Sequence, residues 1–190
     1  MSRPAPTYPA PQPRSADRLP RGTRQDVGWP VWAFARLAGR VTGGAPPSVF
    51  LALGRRPSLL FAWLPFASRL MPRGRLPRRD TELVILRVAA VRDCAYEFDH
   101  HVRLGRRAGV SPTDLDRVLA GSSADGWTQH ERLLIEVTDE LLAEHDLDDA
   151  TWTRLHAELD EAACVELILL VGHYDMLATM LNTLRVPLDH

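Results

Sequence analysis

The run Cys94-Ala95-Tyr96-Glu97-Phe98-Asp99-His100-His101, with Glu82 upstream, holds the residues of this chain best suited to chemistry. At ~100° of rotation per helical residue, Cys94, Glu97 and His101 fall within roughly 60° of one another. A thiol, a carboxylate and an imidazole then share one face. That face continues through Leu104, Gly105 and Ala108, while Arg103, Arg106 and Arg107 lie on the other half of the cylinder. The amphipathic rule turns the trio inward, where ionisable groups are costly unless paired or used. A carboxylate and an imidazole at i and i+4 can act as an oriented general base or acid, or form a plain helix-surface pair. Glu82 either favours the start of its own helix and pairs with Arg78, or reaches Cys94 and His101 if the turn at Arg92-Asp93 folds two helices side by side. Cys94 reads as a small buried hydrophobe or as a reactive thiol in a first helical turn, with Asp93 as the N-cap. His100 points about 100° away from His101 and reads as a rim residue.

The elements that must position these groups are helical. Apolar spacing from Gly28 onward follows the helical period and no stretch alternates convincingly as a strand, so the chain is expected to be all-α and, at 190 residues, one domain. Residues 1–27, with Pro4, Pro6, Pro9, Pro11, Pro13 and Pro20, are expected to form a disordered proline-rich tail, and 28–190 the helical domain. Pro30 starts a helix that buries Val31, Phe34, Leu37 and Ala38. Pro46-Pro47 opens a short helix to Gly54, and Pro57 opens another that is bent at Pro65. The stretch from about Asp80 to Val91 is apolar nearly all round and belongs deep in the core. Ser111, Thr128 and Asp160 cap three later helices, the last running from about Ala162 to Leu184. In that helix Glu166 and His173 share a face. His173 is read there as pocket lining, with a partly exposed helix edge or subunit contact as the plainer alternative. Trp127 and Trp152 read as core or interface anchors.

Composition removes several function classes. None of the 23 basic residues is lysine, which excludes Schiff-base chemistry and a P-loop, since each needs a primary amine. A net charge of -1 gives no electrostatic reason to expect nucleic acid or an anionic membrane as a partner. The two cysteines lie in interior-looking helix and the first twenty residues lack the apolar core of a signal peptide, so a cytoplasmic location is expected. Apolar runs such as 167–172 are too short to suggest a membrane span. A metal site is not expected: Glu97 and His101 have ligand spacing, but neither HExxH nor CxxC is present and His173 is the one plausible distant ligand.

The runs 76–87, then Cys94-x-Tyr96-Glu97-x-x-x-His101, then 108–111 and 172–177, resemble the carboxymuconolactone decarboxylase family, which includes the alkylhydroperoxidase D-like proteins, over about 46–188. The resemblance implies an all-helical bundle assembled as a homo-oligomer, a trimer or hexamer, with sites near subunit contacts. In the peroxidase branch the pattern is Glu, then Cys-x-x-Cys-x-x-x-His. Glu82, Cys94 and His101 match it, and Glu97 stands where the second thiol would be. Three readings follow. The leading one is a cofactor-free acid/base enzyme of the decarboxylase type acting on a small lactone, carbonyl or carboxylate compound, with Glu82, Cys94, Glu97 and His101 catalytic and Tyr96, His100 and His173 lining the pocket. Arg87 or Arg92 would hold an anionic substrate. The second is a single-cysteine peroxide reductase using Cys94. The third is a non-catalytic binding or assembly homologue.

Overall fold

The computed structural model describes residues 18–42 and 44–189, and among them every regular element is an α-helix. In chain order these are α1 (Arg24–Thr42), α2 (Ser48–Leu53), α3 (Pro57–Leu70), α4 (Arg78–Val91), α5 (Ala95–Arg107), α6 (Pro112–Ala120), α7 (Gln129–Glu144), α8 (Asp149–Glu158) and α9 (Glu161–Leu184). α4 is the axis, with Leu83, Val84, Ile85, Leu86, Val88 and Ala89 all buried, and α5, α6, α7 and α9 pack around it. The expected caps form. Ser111 and Thr128 each close a reciprocal capping box, and the Asp160 side chain accepts from Ala163 N.

Three expectations need correction. The first helix begins at Arg24, before Pro30: the Asp26 carboxylate accepts from Thr23 N and Oγ1, and Gly28, at φ 78°, bends the chain so that Pro30 restarts the helix. Within the expected tail, residues 18–27 are therefore tied down. Arg18 donates to Thr183 O, Leu19 N donates to Leu184 O, and Val27 is buried; residues 1–17 of that tail lie outside the described residues. Second, Leu37 is 61% exposed; Val31 is buried as expected, and Ala35 continues its stripe. Third, Asp93 does not cap α5. It sits in the left-handed region at φ 48° as the terminator of α4, with Asp93 N donating to Ala90 O and Cys94 N to Ala89 O, the paired bonds of a Schellman closure. Cys94 becomes the N-cap residue, without a side-chain capping bond. This closure sets the reversal that lays α5 against α4.

Charged groups fasten the core from outside. Arg87 holds Asp139 with two nitrogens and donates to Val118 O, clipping α4 to α7 and α6. Arg92 holds Asp175 on α9 and Leu142 O on α7. Glu166 accepts from Arg75 N and Leu76 N, fixing the loop before α4 onto α9. α9 is long and apolar enough by composition to cross a membrane, but one face, including Leu167, Leu170, Val171, Tyr174, Leu177 and Leu181, is buried in the core.

A second, smaller apolar cluster gathers Val27, Val31, Ala35, Leu51 and Leu60 from α1–α3. Trp63 packs against both clusters. The seam between the α1–α3 cap and the α4–α9 body is where the site lies.

One tie makes a pH-dependent contribution. The His130 ring on α7 bridges Asp80 of α4 and Glu158 of α8, 2.8 Å from each carboxylate. Burial works against the charged ring, but the two carboxylate hydrogen bonds outweigh it and hold His130 above its ordinary range. A raised folded-state pKa stabilises below the unfolded value, and that contribution fades as pH climbs through the folded one. We expect His130→Gln to lower Tm by roughly 2 °C more at pH 6 than at pH 9, a modest difference because the ring is partly exposed. Equal losses at both pH values in thermal melts would show that the bridge does not titrate.

Candidate active site

Glu82 on the buried α4 and His101 on α5 meet. Glu82 is 0% exposed; its Oε2 lies 2.8 Å from His101 Nδ1, and its Oε1 accepts from Arg78 Nη2 at 2.6 Å. The expected pairing with Arg78 and the expected approach to His101 hold at once, because the two oxygens face different partners. An ionised carboxylate only accepts, so Nδ1 is the donor and Nε2 is left for the cavity that His101 lines. The Tyr174 ring of α9 meets the imidazole edge-on, with centroids 5.2 Å apart, and fixes its plane.

Glu97, one turn earlier on α5, is 2% exposed, and neither carboxyl oxygen has a hydrogen-bonding nitrogen or oxygen among the described residues. Burial pushes its pKa up to about 8; the Cys94 thiol beside it pulls the other way, and the Asp175 charge adds to the rise. Near neutral pH Glu97 is a carboxylic acid, able to donate a proton. Cys94 is 1% exposed and is not among the cavity-lining residues. The other cysteine, Cys164, is also buried and reduced.

The cavity measures about 200 Å³. Its body-side wall comes from Tyr96, Glu97, His100 and His101 of α5 and from Tyr174, Leu177 and Leu181 of α9. Its cap-side wall is Val49 and Phe50 of α2 with Trp63, Leu64, Ala67 and Ser68 of α3 and Met71 just after it. Sequence reasoning missed the cap-side wall, since apolar spacing in α2 and α3 marks buried faces without saying that one of them borders an opening.

His100 lines this cavity and also a smaller polar recess with Arg103, Arg107 and Asp189. Burial, then the charges of His101 and Arg103, push His100 down to about 4, so its ring is neutral. It lies parallel to Tyr96 at 6.4 Å. The Tyr96 hydroxyl donates to Asp189 Oδ2 and accepts from Val49 N, while Asp189 Oδ1 accepts from Ser48 N. The end of the chain is thereby tied to α2 and α5 at the cavity wall, and burial with the Asp189 charge raises the Tyr96 phenol above its usual range. Nothing in the sequence signals this role for Asp189.

Two expectations change. His173 does not line the cavity: it stacks behind Trp63 at 5.7 Å, meets Phe66 and Tyr174 edge-on, and burial lowers it to about 4. It is a neutral ring supporting the wall. Arg87 and Arg92 are committed to Asp139 and Asp175, and no arginine is among the lining residues. Among the described residues no three histidine, cysteine or acidic side chains come together as a metal site.

The carboxymuconolactone decarboxylase family model matches residues 57–140, and no curated protein matches the sequence. The fold is similar to that of an uncharacterized peroxidase-related protein from Silicibacter sp. TM1040 (13% identity, 93% of each chain covered, TM-score 0.80). It is similar to an uncharacterized peroxidase-related protein from Ralstonia eutropha JMP134, described as an alkylhydroperoxidase AhpD core (19% identity, 91% of this chain and 92% of that one, TM-score 0.79). It is also similar to the debrominase Bmp8, solved as a cysteine-to-alanine variant with 2,3,4-tribromopyrrole (16% identity, 88% of this chain and 89% of that one, TM-score 0.69). At these identities the likeness is one of fold. Residues 57–140, which carry Glu82, Cys94, Glu97 and His101, match the carboxymuconolactone decarboxylase family.

Proposed function

We propose that the protein is an acid/base enzyme that needs no cofactor and moves protons on a small carbonyl, lactone or carboxylate compound. The observation that carries this reading is the buried 2.8 Å contact between Glu82 and His101, set beside a second carboxyl that stays protonated near neutrality. His101 Nε2 takes a proton from, or returns one to, the reacting carbon. Glu82 holds the ring and stabilises the imidazolium that forms. The electron pair released at carbon moves onto the carbonyl oxygen, where the Glu97 proton meets it. In a decarboxylation His101 takes the proton of the substrate's neutral carboxyl group, the released pair comes from the C–C bond that breaks as CO2 leaves, and protonated His101 returns that proton to the carbon.

The alternative, a peroxide reductase using Cys94, has less support because that thiol is buried away from the cavity lining and Glu97 stands where the second thiol would be. The debrominase Bmp8, whose fold is similar, is recorded with a small ring compound bound, which is compatible with a cavity enzyme of either kind.

The two readings predict opposite mutants. With an identified substrate, His101→Gln should lower kcat/KM by about 10³-fold while Tm moves little, since the glutamine amide can donate to the Glu82 oxygen that Nδ1 served and Arg78 remains on the other. Cys94→Ser should stay within about 10-fold of the parent. Turnover that survives His101→Gln sinks the acid/base reading; turnover of hydrogen peroxide that disappears with Cys94→Ser establishes the other.

Assembly belongs to the same proposal. From Ala162 to Thr183 the outer face of α9 presents Val165, Ile168, Leu169, Gly172 and Met176 to solvent with no charge among them, an apolar strip that another copy of the chain would cover. Light scattering should report a trimer or hexamer for the parent chain and a smaller species for Val165→Glu/Leu169→Glu. A monomeric parent chain would defeat this part.

A further inference from the structure

We infer that the cavity is built for an uncharged, flat, single-ring compound carrying one hydrogen-bond-accepting oxygen next to the ring. The inference rests on the acid/base reading for what happens to that oxygen and stands on the cavity's shape, size and charge for what may enter.

Shape comes first. Six of the lining side chains are rings: Phe50, Trp63, Tyr96, His100, His101 and Tyr174. Tyr96 and His100 lie within 2° of parallel on the α5 side, their ring centroids 6.4 Å apart. Trp63 faces the cavity from α3 with Phe50 edge-on to it and His173 stacked behind it, so its plane is held from two directions. Fixed aromatic walls accept another ring by stacking or edge contact and gain little from a puckered aliphatic one.

Size is the second constraint. An apolar cavity of about 150 Å³ holds one benzene. The volume here, about 200 Å³, admits that ring plus roughly three more heavy atoms, the dimensions of an aryl ketone or a substituted phenol.

Charge is the third. An anion entering the cavity would find no arginine among the described residues of the lining and would approach Glu97, with Glu82 behind His101. Arg78 lies outside the described lining, with Nη2 on Glu82 and Nη1 buried without a partner, and Arg87 and Arg92 are held by Asp139 and Asp175. Burying a carboxylate there leaves it uncompensated. A cation would need Glu97 to give up its proton in an environment that burial makes hostile to the ionised form. A neutral acceptor needs neither change, because the protonated Glu97 carboxyl, otherwise without an oxygen or nitrogen partner, gains one.

The groups around Glu97 fix how this recognition responds to pH. Cys94, His100 and His101 share its helix, Glu82 lies across on α4, Tyr174 and Asp175 come from α9, and the α3 residues in the lining are uncharged. His100 is already neutral at about 4 and the Tyr174 phenol is held well above its usual range. Ionisation of Glu97 near pH 8 removes the donor and puts a buried negative charge against the ligand's oxygen. Binding of a neutral acceptor therefore weakens as pH rises through about 8.

Calorimetric titration of the full chain with four probes tests the inference: acetophenone, benzoate, benzylammonium and cyclohexyl methyl ketone. Acetophenone should bind at least 10-fold more tightly than each of the other three at pH 7 and lose about 10-fold between pH 7 and 9. Glu97→Gln should abolish that pH step. Tighter binding of benzoate or benzylammonium, equal binding of the cyclohexyl ketone, a pH step that persists in Glu97→Gln, or no binding of any probe would each overturn it. Because these titrations involve no turnover, their failure leaves the acid/base mechanism standing, while turnover that survives His101→Gln would leave the ring selectivity standing.

Discussion

The buried hydrogen bond between Glu82 and His101 constrains the rest of the molecule. A carboxylate with no exposed surface is tolerable only if each oxygen has a strong donor, and here one faces Arg78 and the other the imidazole. Taking away one partner of such a buried pair generally costs about 3–5 kcal/mol, so the relative placement of α4 and α5 cannot drift. The chain secures that placement locally, through Asp93 in the left-handed region and the paired bonds to Ala89 and Ala90. It secures it again at long range, through Arg87 and Arg92 fastening α4 to α6, α7 and α9. These arginines serve the site without touching it.

The opposite wall is held differently. α1–α3 form their own small apolar cluster and meet the body through Trp63 and the cavity itself. The polar ties across this seam are few and lie at its end, where Asp189 joins Ser48 of α2 to Tyr96 of α5. A wall that shares less of the main core opens at lower free energy than the core does. The proton-handling groups therefore sit on the rigid side, and the side chains that shape what they act upon sit on the side able to yield.

The helices were legible because their signals are local: capping residues at Ser111, Thr128 and Asp160, prolines at Pro47 and Pro57, and the all-round apolarity of α4. The pairing of Glu82 with His101 was legible only as one of two readings, since helical spacing gives a face and not a neighbour. Asp93 was misread because a residue between two helices can serve either end, and the closing bonds of α4 claimed it. Arg87 and Arg92 were misread because their partners, Asp139 and Asp175, are 52 and 83 residues away in sequence. His173 shares a face with residues near the site, yet Trp63 from a distant helix comes between it and the cavity. In each case the error lies in tertiary context that period and propensity do not encode.

Glu97 decides what kind of chemistry such a site can hold. A thiol at this position would give Cys94 a partner for a disulfide and make the site a store of electrons. A carboxyl in the same place cannot exchange electrons, and burial keeps it protonated near neutrality. The nearby Asp175 is already paired with Arg92. The Glu82 carboxylate is likewise committed to Arg78 and His101. What remains mobile is protons: one on Glu97, one on the His101–Glu82 pair, and an open ring nitrogen to exchange them with a guest. On the acid/base reading proposed above, a carboxyl at position 97 makes protons the currency of the site, with the surrounding helices unchanged.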